Sequence, residues 1–297
     1  MDERIPSYLI ERLRAAYGEP LAEEIAAGYV RKPVTLRANT LKASAEEVAV
    51  ALAEAGIRAE RVPWYGDAFV LPQAREEDVR RLPIYAQGAV YLQGLSAMLP
   101  ALLMPLRPNT AVLDLCAAPG GKTSQMAALA DGEIDLTACE RDAVRAERLR
   151  HNLAMQGVRR VNVMQTDARQ LDDFFRFDAV LLDAPCTGSG TLALDDEPPR
   201  RMTPAWVEKI VRTQKALLRK ALTVLKLGGT LVYATCSVLP EENQELVQTA
   251  LDSGAALEPV PEELAGAFDT LPAPEGMICV KPTELAEGFF VARVRKK

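Results

Sequence analysis

The residues of this 297-residue chain best able to do chemistry lie in a few short stretches. Asp114-Leu115-Cys116-Ala117-Ala118-Pro119-Gly120-Gly121-Lys122-Thr123 is rich in glycine and small side chains. Between a strand and a helix, such a loop lets the backbone approach a ligand and present N–H groups to it. It is not the G-x-G-x-x-G of dinucleotide sites. Nor is it G-x-x-x-x-G-K-[ST], because Ala117 stands where that pattern needs its first glycine. Glu140 follows roughly 20 residues on, where an acid can accept from both ribose hydroxyls of an adenosine-type ligand. A solvated surface glutamate fits that position equally well. Asp167, followed by Ala168-Arg169, can accept from an exocyclic adenine amine or can cap a helix. Together, Cys116 to Lys122, Glu140 and Asp167 fit an adenosine cofactor. Two more stretches, Asp183-Ala184-Pro185-Cys186 and Thr235-Cys236-Ser237, put a thiol at the exit of a strand. A lone cysteine is most often a small buried apolar residue. Two at neighbouring strand exits, one of them beside an aspartate, are harder to read that way. Cys139 and Cys279 are expected to be packing residues, and Cys116 to meet a ligand only through its backbone.

Regular alternation of strands and helices must position these groups. Short apolar runs predict strands at 111–115, 134–139, 161–165, 177–182, 229–235 and near 288–295. Helices are predicted at 122–130, 142–156, 204–226 and 241–252, the third capped by Thr203 with Pro204 in its first turn. This is the pattern of an α/β fold with a doubly wound, mostly parallel sheet, which binds ligands at the carboxyl ends of its strands. Before it, a helix over 7–27 broken at Gly18-Glu19-Pro20, a strand at 34–40, a helix at 44–56 and short strands at 59–63 and 68–71 suggest a small α+β layer. Ser44 and Glu47 form a capping box at the start of the 44–56 helix. The expected division is 1–85 as the small domain, 86–109 as a connecting helix (93–103) and a hinge at Pro105 and Pro108, and 110–297 as the catalytic domain.

Composition narrows the class. A hydrophobic fraction of 48% and a charged fraction of 26% exclude a disordered or fibrous chain. No run approaches the roughly 18 apolar residues of a membrane span, and Met1-Asp2-Glu3-Arg4 opens no signal peptide. With 5 cysteines, none in a C-x-x-C pair, and one histidine, His151, there is little to build a zinc site from. Free thiols and a reducing cytoplasm are expected. With 35 basic against 41 acidic side chains, net −6, any nucleic-acid partner must be met by a local positive groove.

Asp114–Thr123, Asp183–Cys186 and Thr235-Cys236-Ser237 resemble the motifs of the NOL1/NOP2/Sun family of RNA 5-methylcytosine methyltransferases. Arg37-Ala38-Asn39-Thr40-Leu41-Lys42, Gln93 with Ser96, and Gly288-Phe289-Phe290 add to the resemblance, which covers nearly the whole chain. Within the family the chain is most similar to the bacterial 16S-type ribosomal RNA enzymes, reduced to a short N-terminal domain and the catalytic domain. Two departures bear on target choice. Gly94 stands where relatives often carry an acid, and 195–201 lacks the N-P-D…W pattern common after the D-A-P-C loop.

The resemblance implies a Rossmann-like class I methyltransferase fold, S-adenosyl-L-methionine as cofactor, an RNA substrate and an RNA-binding role for the small domain. It makes Cys236 the nucleophile that adds to carbon 6 of cytosine, activating carbon 5 toward the methyl group. Cys186 would assist the elimination that frees the enzyme. Asp183 would hold the base and, protonated, stabilise the adduct. Lys122 is our candidate for the positive charge that supplies thiolate at Cys236. Ribosomal RNA is the favoured target, with transfer RNA the alternative from the same chemistry and a non-catalytic ribosome-assembly factor the alternative from another class. Arg31, Lys32, Arg37, Lys42, Arg200, Arg201 and the Arg293–Lys297 tail are candidate phosphate contacts. A monomer without metal and without membrane attachment is expected.

Overall fold

A computed structural model describes residues 2–194 and 202–297. Helix α1 (Ser7–Ala27) opens the chain and is interrupted at Gly18, whose φ of 77° and ψ of 165° are non-helical. Strand β1 (Val34–Ala38), helix α2 (Ala45–Glu54), strands β2 (Glu60–Val62) and β3 (Tyr65–Leu71), helices α3 (Glu76–Arg80) and α4 (Pro83–Ala86), and strand β4 (Val90–Leu92) follow. The four strands form an antiparallel sheet in the order β2-β3-β1-β4. The Ser44–Glu47 capping box starts α2, which buries Val48 and Leu52 against Leu36, Phe69 and Leu71. Two features depart from a small unit spanning 1–85. Strand β4, too short for its periodicity to show, pairs with β1 (Leu36 opposite Leu92) and carries the small sheet past residue 85. The apolar stripe of α1 (Leu9, Leu13, Ala22, Ile25) is buried with Val180, Leu182, Leu231 and Tyr233 of the large sheet, not with the small one.

Helix α5 (Leu95–Leu102) leads into the second sheet; Gln93 and Gly94 stand outside it, Gly94 as its N-cap. Then come β5 (Ala111–Asp114), α6 (Gly121–Leu129), β6 (Asp135–Glu140), α7 (Ala143–Met155), β7 (Val161–Gln165), β8 (Phe177–Asp183), α8 (Pro204–Val224), β9 (Leu225–Thr235), α9 (Gln244–Asp252), β10 (Ala256–Leu257), α10 (Glu262–Ala265), β11 (Met277–Val280) and β12 (Phe289–Arg295). The sheet order is β10-β12-β9-β8-β5-β6-β7, with β11 also pairing with β12. Strands β5 to β9 are parallel, and β12 runs antiparallel to β9. Thr203 accepts from the Trp206 amide as the N-cap of α8, but the helix ends at Val224 and Gly228, at φ 74°, lies within β9. Successive strands run outward from β5 through β6 to β7, then return to its other side as β8 and β9. Order therefore reverses between β5 and β8, where an open α/β sheet parts to admit a ligand.

The two sheets are joined through Arg37 of β1. Its side chain is fully buried and donates to Gln93 Oε1 (2.9 Å), Gly121 O (2.9 Å) and Ser124 Oγ (2.7 Å), lying over the Tyr91 ring. A guanidinium so enclosed cannot meet a phosphate, so Arg37 is a strut between the small sheet and the glycine-rich loop. Arg37→Ala leaves Gln93 Oε1 without its donor, removes one donor each from Gly121 O and Ser124 Oγ, and empties the volume of a fully buried side chain. It should lower unfolding stability by about 3 kcal/mol or more, read by denaturant titration. A loss of RNA affinity with unchanged stability would restore the phosphate role.

Candidate active site

The loop after β5 is shaped by its glycines. Gly120 caps α6 at φ 106°, and a Cβ on Gly121 would lie 2.9 Å from the Tyr91 ring. The Ala117 amide donates to Cys139 O (2.9 Å), so this part of the loop is held to β6. Glu140 ends β6 buried, accepting from the Asp142 amide at 2.8 Å with Arg145 at 3.5 Å. Arg145 also donates to Ala118 O (2.9 Å) and ties the acid to the loop. Asp167 accepts from the Arg169 amide and guanidinium, the latter lowering its pKa. It thus caps the short turn after β7 while also lining the cleft. Cys116, Ala118, Lys122, Glu140, Asp167 and Asp183 all border one cleft of about 680 Å³. Ala117, Pro119 and Gly121 line a second pocket of about 190 Å³ that shares Cys116, Ala118, Lys122 and Asp183 with the first. A glycine cradle with buried Glu140 on one side and the partly buried Asp167 on the other fits an adenosine-type ligand.

The other end of the same cleft holds the thiols. Pairing of Asp183 with Ala234 brings the exits of β8 and β9 side by side. Cys186 and Cys236 meet there, Sγ to Sγ at 3.0 Å, both free and half-buried. The contact with Cys236, followed by burial, pushes the Cys186 thiol well up. Cys139 and Cys279 are fully buried in the core, as packing residues should be. Lys122 donates to Asp183 Oδ2 at 2.7 Å and lies 5.5 Å from the Phe289 ring centroid. Burial alone would lower the Lys122 pKa. The Asp183 carboxylate, with a smaller contribution from Cys236, outweighs it, and the net shift is upward. The ammonium is therefore kept charged beside both groups. Asp183 is the acceptor in this pair.

Several neighbours carry no mark in the sequence. Glu242, placed by its spacing in an ordinary helical turn, is buried beneath both thiol loops, and Gln214 of α8 joins it. Glu287 lines the cleft beside Gly94, pushed up by burial. Nothing in residue type separates Glu242 from the more exposed Glu241; only the fold does. Among the phosphate candidates, Lys32 donates to Gly28 O and Thr283 O, and Arg293 pairs with Glu258. Lys296 caps the carbonyls of Leu222 and Leu225. These are internal contacts. Arg31 and Lys42 are exposed, and Arg200 and Arg201 lie outside the described residues. Among the described residues no helix is long and apolar enough to cross a membrane, and no three His, Cys, Asp or Glu side chains are grouped to hold a metal.

This sheet order, with its crevice at the β5–β8 reversal and antiparallel β12 beside β9, is the fold of a class I methyltransferase. A methyltransferase homologue from Pyrococcus horikoshii has a similar structure, with a TM-score of 0.81 and 31% identity over 99% of this chain and 100% of that one. The family described as 16S rRNA methyltransferase RsmB/F matches residues 101–295, and its ferredoxin-like domain matches 5–77. The chain belongs to this family. Ribosomal RNA small subunit methyltransferase F of Vibrio parahaemolyticus is 37% identical over 98% of this chain and 63% of its own length. Its namesake from Shewanella oneidensis is 36% identical over 100% and 62%. The chain thus spans about three-fifths of the length of these curated relatives.

Asp114, at the end of β5, is buried and accepts from Thr123 Oγ1 (2.7 Å); burial raises its pKa to about 6. Because the folded value lies above the unfolded one, its favourable contribution is complete below the ordinary carboxylate range and is lost as pH rises to 6. Asp114→Asn removes that dependence. The variant should gain on the wild type between about pH 4 and 6 by up to ~3 kcal/mol and stay level above. Melting temperatures across that range check it; parallel curves would show that Asp114 does not titrate there.

Proposed function

We propose that this chain transfers a methyl group from S-adenosyl-L-methionine to carbon 5 of a cytosine in RNA, with small-subunit ribosomal RNA the favoured target. The observation that carries the reading is the pair of free thiols 3.0 Å apart beside the Lys122–Asp183 pair, in the cleft that also holds the glycine cradle. The names of the relatives support ribosomal RNA; the two-thiol arrangement supports cytosine-5 chemistry. The 116–122 loop, Glu140, Asp167 and Asp183 would hold the cofactor, which when bound supplies an electrophilic methyl group.

Cytosine carbon 5 is a weak nucleophile. In this reading the Cys236 thiolate adds to carbon 6, forming a sulfur–carbon bond and pushing the ring electrons toward carbon 5 and N3. Lys122, kept charged by Asp183, steadies the thiolate and offers a proton toward N3, while Asp183 accepts from the base. After carbon 5 has been methylated its proton must leave. Cys186, 3.0 Å from the sulfur that forms the adduct, would assist by orienting a water that takes this proton, and the Cys236–carbon 6 bond then breaks to restore the ring. The base must be flipped or single-stranded to reach a pocket at strand ends. The small domain, centred on the β1–β4 sheet, would bind flanking RNA, with Arg31 and Lys42 among its free cations.

Cys236→Ala should lose methylation by roughly a thousandfold or more, with no covalent species. Cys186→Ala should still attack, then fail to release, and accumulate a protein–RNA band on denaturing gels. The substrates are in vitro transcribed small-subunit ribosomal RNA and transfer RNA, with labelled S-adenosyl-L-methionine. No adduct from either variant, with only mild stability losses, would reduce both thiols to packing residues and end the proposal.

A further inference from the structure

Glu242 lies just before α9, outside the cleft lining, yet both thiol loops converge on it. Its side chain is fully buried. Oε1 accepts from the Thr187 amide (2.9 Å) and Gln214 Nε2 (3.1 Å), and Oε2 from Thr187 Oγ1 (2.6 Å) and Ser237 Oγ (2.5 Å). All four partners are donors, the pattern an ionised carboxylate satisfies. Thr187 directly follows Cys186, and Ser237 directly follows Cys236. One carboxylate therefore grips the residue after each thiol.

The surrounding bonds extend this grip. Gln214 uses its second amide hydrogen on Pro185 O (3.0 Å), the residue before Cys186. Because the Ser237 hydroxyl donates to Glu242, the Ser189 hydroxyl must be the donor in its 2.8 Å contact with Ser237, and it accepts in turn from the Val238 amide. The Glu242 carbonyl takes the Tyr233 hydroxyl at 2.6 Å, anchoring the glutamate to β9. Pairing of β8 with β9 ends at Asp183, three residues before Cys186, and beyond it the Gly190 amide donates to Cys236 O (3.0 Å), which ties the loops behind Cys186 but leaves Cys186 itself to its side-chain neighbours.

We infer that Glu242 is a positioning residue for the thiol pair, the shared acceptor that holds the Cys186 and Cys236 loops at their working separation. It touches neither base nor cofactor and acts only through Thr187, Ser237 and Gln214. The inference rests on the proposed two-thiol mechanism for its catalytic meaning, but its geometric content can be tested without RNA.

The ruler is the rate at which diamide joins Cys186 to Cys236: the two thiols lose two hydrogens, the diazene takes them up as a hydrazine, and peptide mapping identifies the link. Glu242→Gln keeps the size but replaces one acceptor oxygen with an NH2 that cannot accept from Thr187 or Ser237. It should slow cross-linking by about tenfold or more, the scale of losing hydrogen bonds to a charged acceptor. Ser237→Ala, which cuts the Cys236 arm and the Ser189 contact but leaves both Thr187 bonds to Glu242, should slow it by less. Glu242→Ala should slow it most, and if that variant does not fold the other two still decide. Methylation of in vitro transcribed small-subunit ribosomal RNA should show kcat falling in step while KM for the RNA stays put, which general loosening of the fold would not produce. Slower cross-linking with a wild type inactive on RNA would uphold the positioning and sink the methylation proposal. Equal cross-linking rates in wild type and folded Glu242→Gln, including no link in either, would overturn the inference.

Discussion

Strands β8 and β9 leave the sheet at the same height because Asp183 is paired with Ala234. That register is the constraint on which the candidate site depends. It places Cys186, three residues past Asp183, opposite Cys236, two past Ala234. A slip of one residue along either strand would turn its side chains to the other face and separate the sulfurs. Pairing of β8 with β5 in turn brings Asp183 to the first turn of α6, which supplies Lys122, so the ion pair and the thiol pair arise from the same three parallel strands.

Electrostatics then divides the cleft. At one end Glu140 and Asp167 are held by Arg145 and Arg169, so the acids at the glycine-loop end are already oriented. At the other, Lys122 is half-buried beside Phe289 and stays charged because Asp183 outweighs the cost of burial. On an acidic chain of net −6, several of the cations expected to meet RNA are instead, among the described residues, tied to carbonyls and carboxylates of the fold itself. Arg37 and Lys296 are the clearest cases. Surface attraction for a polyanion must come from the remaining exposed side chains, such as Arg31, Lys42 and Lys209 at the mouth of the cleft.

What could be read from the sequence was what periodicity and loop chemistry encode. The five parallel strands, the capped helices at Ser44 and Thr203, and the loop and thiol stretches at strand ends are local patterns, and the structure brings those stretches to one cleft. The three-residue β4 and two-residue β10 are too short to show a period. The home of α1 was invisible because an apolar stripe tells that a helix is buried, not against which sheet. Arg37 read as a surface cation because nothing local reveals that Gln93, Gly121 and Ser124 surround it. Glu242 was missed for the same reason: its partners lie on three separate elements, and a buried glutamate has the same letter as a solvated one.

The most direct measurement of the central claim is mass spectrometry of the wild-type protein incubated with S-adenosyl-L-methionine and small-subunit ribosomal RNA containing 5-fluorocytidine. Fluorine at carbon 5 blocks the final proton loss and leaves the adduct in place. After nuclease and protease digestion, the account predicts a methylated fluorocytidine nucleotide on the peptide bearing Cys236. The same nucleotide on Cys186, or no nucleotide on either cysteine, would contradict it.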